Sequence, residues 1–336
     1  MKHYIGIDPS ADSFMACRLI EGRPEGTPES FDQNGEATDA FLAWLIEHGC
    51  TAESSLICVE NTGVYSEMLL YRLHAAGWSV ALVEPLRVHR ALGKARGKSD
   101  ALDSQRIAEY AYRFRDTLRL WEPHEAVVEQ IKVLLSTREQ LVEQKTSLSS
   151  TRASLRRKYI QTPKANASLE HLIGQLAEQI RALEAEIKRL IKQYPTMAQV
   201  VTLLATAPGV GTLMAAHLLV ISNGFQQALP YRRLAAYLGI APLPYESGTS
   251  VRRLPKTRGY GPRIMRKLLH LAARSVVTHH KEFKRYYARK RAQGKPGLLV
   301  LNNVANKLLR LLCSMIKNNK PYIDGYVSVN PRLLNT

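Results

Sequence analysis

Four acidic residues stand where they could do chemistry together. Asp8 closes the apolar run HYIGID (3–8), and Glu60 closes SLICVE (55–60). Asp100 and Asp103 lie three apart in GKSDALDSQRIAEY (97–110), at what the pattern reads as the start of a helix. Pro9 disfavours helix for the residue before it and so keeps Asp8 at an extended strand end. In an open sheet the carboxyl ends of adjacent strands converge on one edge, and positions i and i+3 of a helix share a face, so the four carboxylates can meet. Crowded negative charge calls for cations, and hard oxygen donors favour Mg²⁺, with Mn²⁺ as the alternative. Two such ions about 4 Å apart stabilise the attacking and leaving oxygens of an in-line phosphoryl displacement. Taken singly, each acid has a plainer use: a strand-end turn residue, or for Asp100 a cap on the helix that carries Asp103.

The elements that must position these acids follow from hydrophobic period. HYIGID, SFMACRLI (13–20) and ESFDQ (29–33) read as three strands, and residues 36–48 as a helix with Phe41, Leu42, Leu45 and Ile46 on one face. A buried strand at 55–60, a helix at 64–76 and a strand at 79–84 come next. The order β-β-β-α-β-α-β-α describes a mixed sheet, a three-strand meander extended by parallel strands, as in ribonuclease-H-like domains.

After Trp121 the texture becomes helical. Val127, Leu134, Leu141, Leu148 and Leu155 recur every seven residues, and Arg138, Lys145 and Arg152 lie four residues after members of that stripe. A break at QTPKANAS (161–168) precedes a second apolar stripe from Leu169 to Leu190. The pair predicts an antiparallel helical hairpin or coiled coil, serving as a spacer or dimerisation arm, with the basic positions making the seam leakier than a simple zipper. ATAPGVGTLMAAHLL (205–219) sets a glycine turn between helices, in the manner of a helix-hairpin-helix. APLPYESGTSVRRLPKTRGYGP (241–262) reads as a long polar loop. The expected division is 1–122, 123–193 and 194–336: an α/β domain, a helical arm and a mostly helical domain.

Charge is divided just as unevenly. Residues 1–83 hold four Lys/Arg against twelve Asp/Glu, a net of −8, whereas residues 231–310 hold nineteen against two, a net of +17. An acidic module joined to a basic one points to a polyanion as partner, because Lys and Arg gain by releasing the counterions condensed on phosphates. Cys17, Cys50, Cys58 and Cys313 are scattered without C-x-x-C spacing, which argues against a zinc site or a disulfide framework and fits a reducing cytoplasm. No apolar run of membrane-spanning length interrupts the 336 residues, and no membrane partner is expected.

YIGIDPS, CVENTGVY, GKSDALDSQRIAE and YESGTSVR, in this order and on either side of a helical arm, resemble the DEDD transposases of bacterial insertion sequences, the IS-one-ten family with its IS-triple-eleven branch. The resemblance covers essentially the whole chain. It implies an N-terminal RuvC-like (ribonuclease-H-fold) domain whose acidic tetrad falls on Asp8, Glu60, Asp100 and Asp103, then a coiled coil, then a transposase domain. That last domain supplies a serine, matched here by Ser247, which on sequence alone reads as a turn residue. The family role would make Ser247 the nucleophile of a phosphoserine link to DNA. Arg252, Arg253, Lys256, Arg258, Arg263, Arg266 and Lys267 beyond it become candidates for phosphate contacts. The resemblance also implies donor and target DNA, dimers assembling to a tetramer, and a structured non-coding guide RNA, which the arm's basic stripe would serve in place of helix pairing. Pro9 departs from the small or β-branched residue expected after the first aspartate. His279 and His280 lie outside every motif and read as surface or phosphate-contacting. Two rival readings remain at this point: a Holliday-junction nuclease using the tetrad and water, and a non-catalytic DNA-bridging protein.

Overall fold

Each short apolar run of the first segment becomes a strand in the computed structural model, which describes residues 2–93, 97, 99–225, 230–247, 251–257 and 261–325, by the backbone alone at 243–247 and 251–256. Two units divide the chain, Met1–Pro123 and His124–Thr336.

In the first unit β1 (His3–Pro9), β2 (Ser13–Ile20), β3 (Arg23–Pro24) and β4 (Glu29–Asp32) precede α1 (Gly35–Glu47). β5 (Ser55–Glu60), α2 (Val64–Ala75), β6 (Val80–Val83), α3 (Pro85–Leu92) and α4 (Asp100–Phe114) complete it. The sheet runs β3-β2-β1-β5-β6, with β4 also paired to β2. β1 is antiparallel to β2 and parallel to β5, which is parallel to β6. Alternation decides the layers. Ile5, Ile7, Ile57 and Val59 face Phe41, Leu45, Leu69 and Leu73 of α1 and α2. Tyr4, Leu56, Cys58, Ala81 and Val83 face Val88 of α3 and Ile107, Ala108 and Tyr110 of α4. Burying each large apolar side chain contributes roughly 1.5–3 kcal/mol, so both layers are needed to hold the sheet.

The second unit begins with α5 (Ala126–Leu155) and α6 (Pro163–Gln193), two long helices joined by residues 156–162. The first is 30 residues long and covers its whole heptad stripe, and the second starts early because Pro163 suits a first helical turn, where its missing N–H is no loss. Arg138 and Arg152 do not stand free for RNA: they pair with Glu184 at 2.8 Å and Glu170 at 2.6 Å on the facing helix. The root of the hairpin, including Val128, Ile131, Ile187 and Ile191, shares one core with the helices that follow. These are α7 (Pro195–Ala205), α8 (Thr212–Ile221), α9 (Tyr231–Tyr237), α10 (Arg263–His279), α11 (Lys281–Ala292) and α12 (Gly297–Asn318). α12 is long and apolar enough to cross a membrane by composition, but Val300, Val304, Leu308 and Leu312 belong to this core.

One expectation is corrected here. Among the described residues of the stretch 241–262, β7 (Leu243–Ser247) and β8 (Val251–Lys256) form an antiparallel ribbon where a long loop is expected, with a register shift between Leu243 and Tyr245 that accommodates Pro244. A glycine turn joins α7 and α8, as the sequence predicts. Gly209 has φ +73°, and a Cβ there would come within 3.1 Å of the Ala272 carbonyl on α10. The glycine serves close helix packing, and Ala207 and Val210 on either side are buried.

Candidate active site

The acidic site is built from strand ends and one helix turn. Ile7 pairs with Val59 in the parallel register, so Asp8 and Glu60 are the next residues on neighbouring strands. By alternation both follow Gly6 and Cys58 onto the face that α4 covers. α4 lies unusually close there, because Gly6 has no side chain: a Cβ on it would stand 2.2 Å from the Ala108 nitrogen and 2.2 Å from the Ser104 carbonyl. That contact brings the first turn of α4 to the strand ends. The turn is capped by Ser99, whose hydroxyl accepts from the Leu102 N–H at 3.2 Å. Asp100 is therefore not the cap, and both aspartates of the first turn are left for other work.

Electrostatics confirm that three of the acids are neighbours. The Glu60 carboxyl is pushed up to about 7 by burial first, then by the charges of Asp8 and Asp103, and by a hydrogen bond with Asp8. Asp8, Glu60 and Asp103 are half-buried, and Asp100 is exposed one turn away on the rim. Among the described residues no three His, Cys, Asp or Glu side chains stand close enough to hold a metal ion as they are. The donors nonetheless fit one. All are hard oxygens, and a divalent cation would relieve both the burial and the repulsion that push the Glu60 carboxyl up.

The rim carries groups that sequence reasoning did not single out. Glu84 directly follows β6, one residue beyond the Val83 that pairs with Glu60 at the end of β5, and it accepts from Asn61 Nδ2 at 2.9 Å. That repeated strand-end acid was a legible signal. Arg87 of α3 lies over the Tyr110 ring at 5.9 Å, and its charge opposes the burial that pushes the Cys58 thiol up. Arg106 donates to the Gly93 carbonyl and so ties α4 to the end of α3. The cysteines are not ligands: Cys17, Cys50 and Cys58 are buried, and burial pushes the Cys17 thiol up to about 11.

In the second unit the structure places the backbone of Ser247 at the end of β7, paired with Val251 across the ribbon, and Arg252 opposite Glu246. The side chains of Ser247, Arg252, Arg253 and Lys256, and Arg258 altogether, lie outside the described residues. Arg263, Arg266 and Lys267 occupy the start of α10. Arg263 is exposed, but Lys267 lies 3.6 Å from Glu139 of α5, within an ionic cluster that includes Arg138 and Glu184. His280 is pinned rather than free at the surface, its Nε2 2.9 Å from the Tyr322 hydroxyl and 3.1 Å from Asp324.

An α/β unit with acids at its strand ends, joined to a basic helical unit, suits an enzyme that acts on a polyanion, and similarity to known proteins makes it a DNA-rearranging one. A transposase family model of the DEDD type matches residues 5–160, and the model described as transposase IS116/IS110/IS902 family matches residues 201–288. The chain belongs to this IS110 family of transposases. It is 27% identical over 328 residues to the pilin gene-inverting proteins of Moraxella lacunata and Moraxella bovis, covering 96% of this chain and 98% of each relative. Over 145 residues, 43% of this chain and 35% of the relative, it is 33% identical to an uncharacterized 43.6 kDa protein of insertion element IS110 from Streptomyces coelicolor.

Proposed function

We propose that this transposase is an RNA-guided DNA recombinase that cuts and rejoins strands through a serine-phosphate intermediate. The observation that carries the acidic half of this reading is the meeting of Asp8, Glu60 and Asp103 at the strand ends, where burial and then the charges of the two aspartates push the Glu60 carboxyl up to about 7. These residues, with Asp100, would hold Mg²⁺, or Mn²⁺ in its place, which when bound polarises a DNA phosphodiester and stabilises charge on its oxygens. Ser247 Oγ would then displace a deoxyribose oxygen from phosphorus. The phosphoserine bond forms as the strand's P–O bond breaks, and the serine proton passes to the departing oxygen. A strand end brought from the second DNA reverses the displacement, returns the proton to Ser247 and seals the new junction. Energy stored in one ester is carried to the next, so rejoining needs no nucleotide cofactor.

We read the first unit as RuvC-like, the hairpin as a coiled-coil arm, and residues 194–336 as the domain that brings the serine and the basic surface. Sequence reading delegated to a guide RNA leaves the protein to grip backbones, which suits a chain of net charge +18. Similarity to pilin gene-inverting proteins extends the reading to inversion of a DNA segment as one outcome of the same exchange. The work would be done in the cytoplasm, by dimers assembling to a tetramer on donor and target DNA.

The test is to express the protein with its flanking element, sequence the RNA that co-purifies, and trap the adduct on denaturing gels. Asp103→Ala should lower strand cleavage by on the order of a thousandfold or more. Ser247→Ala should abolish the protein–DNA adduct. Cleavage that survives without an adduct favours the water-activating nuclease, and cleavage indifferent to Asp8→Ala or Asp103→Ala favours a non-catalytic bridging protein.

A further inference from the structure

The cations of the second unit are compensated unevenly. On the hairpin, Arg138, Arg152 and Arg189 each meet a glutamate, and the 31 residues of α6 carry five Lys/Arg against four Glu. α11 differs. Its 12 residues hold Lys281, Lys284, Arg285, Arg289, Lys290 and Arg291 against the single acid Glu282. Among the described residues none of these six forms an ion pair, and no residue of the helix is buried.

The helix has a definite orientation. Phe283 and Tyr286 pack against the core of the unit, and Tyr286 lies beneath Lys307 at 4.5 Å and Arg289 at 5.9 Å. With 3.6 residues per turn, the opposite face presents Lys281, Lys284 and Arg285 around the small Ala288 and Ala292. Like charges at i, i+3 and i+4 repel, and cations in a first helical turn oppose the helix dipole. This arrangement costs stability in the isolated protein and is offset when anions line the helix. Twelve residues span about 18 Å, room for several consecutive phosphates of one strand.

We infer that the outer face of α11 is a phosphate-backbone grip for nucleic acid, distinct from the basic positions around the serine ribbon. The inference rests on the reading of the chain as a nucleic-acid enzyme. Its experiment is a salt series of anisotropy titrations on the full-length protein, with a mixed-sequence DNA duplex and a hairpin RNA as separate probes. Neutralising Lys281→Gln, Lys284→Gln and Arg285→Gln together should reduce the slope of log K against log salt by about 2–3, because each lost phosphate contact removes roughly 0.7–0.9. A reduction on the duplex alone assigns the grip to DNA, on the hairpin alone to RNA, and on both to a backbone they share in turn. The charge-preserving variant Lys281→Arg, Lys284→Arg, Arg285→Lys should keep the wild-type slope, which separates lost charge from a disturbed fold. An unchanged slope in the neutral variant overturns the grip, as does an equal reduction from Arg181→Gln, Lys188→Gln and Lys192→Gln on near-neutral α6. A wild-type protein that binds neither probe overturns the functional reading itself.

Discussion

The acidic edge of the first unit and the basic helices of the second both concentrate like charge, but they tolerate it differently. At the strand ends the carboxylates are half-buried, and burial followed by their mutual repulsion pushes the Glu60 carboxyl up to about 7. On α11 the cations stand in water, where repulsion is weak and screened, and no proton needs to move. On the hairpin, Arg138 and Arg152 are matched by glutamates of the facing helix. On the reading proposed above, charge that the fold leaves unmatched would take an external ion: a divalent cation at the first place and phosphates at the second.

The strongest way to break this comparison is to spoil the acidic geometry without touching an acid. Gly6→Ala drives a methyl into the backbone of α4, whose nearest atoms would lie at 2.2 Å and cannot swing aside as a side chain would. Overpacking of this kind costs about 1–3 kcal/mol, and more where backbone must shift. A lowered urea midpoint is expected, and with it a loss of DNA cleavage even under conditions where the variant is fully folded, since the first turn of α4 is moved off the strand ends. Full cleavage by a folded Gly6→Ala protein would show that Asp103 need not approach Asp8 and Glu60.

A second test uses pH. The folded Glu60 pKa of about 7 lies above its ordinary 4.5. Without a cation, its contribution to stability is therefore fully present below pH 4.5 and is lost as pH rises through 7. A cation bound by the carboxylates favours the ionised form, so the effect of Mg²⁺ runs the other way. Mg²⁺ should raise the melting temperature clearly at about pH 8 and little at about pH 5.5, with stabilisation near 2.7 kcal/mol at a hundred times Kd. Glu60→Gln should flatten the pH dependence of the metal-free protein. Equal Mg²⁺ effects at both pH values would detach the ion from this cluster.

How far the site was legible follows from the range of the interactions that form it. The strands, and the placing of Asp8 and Glu60 on one edge, depend on alternation over five or six residues, and the i, i+3 placing of Asp100 and Asp103 on a single helix turn. Such local patterns are visible in sequence. The role of Gly6 is not: in HYIGID it looks like any strand glycine, and only the partner helix, a hundred residues later, gives it meaning. Prolines at 244 and 255 disguised the ribbon as a loop, because a ribbon needs only part of its ladder and can absorb them at an irregularity. The basic seam of the hairpin misled for a related reason, since Glu170 and Glu184, which match Arg152 and Arg138, lie on the facing helix. α11 was hidden inside a net charge counted over eighty residues, which does not distinguish paired from unpaired cations.

The smallest expected effect is also the one that sharpens the contrast between paired and unpaired charge. Arg152 and Glu170 meet at 2.6 Å, yet the Glu170 side chain is 65% exposed. An exposed pair gains little Coulomb energy in water and must fix two long side chains, so a double-mutant cycle with Arg152→Ala and Glu170→Ala should give a coupling of about 0.2–1 kcal/mol, fading with added salt. The more telling measurement is nucleic-acid binding by the same variants. A cation already neutralised by its own chain displaces few counterions when a phosphate approaches, so Arg152→Ala should leave the salt slope near that of the wild type. Glu170→Ala, by freeing Arg152, should if anything steepen it. A marked drop in slope for Arg152→Ala would mean that the bridge opens to receive phosphate, and the hairpin would then join α11 as a nucleic-acid surface.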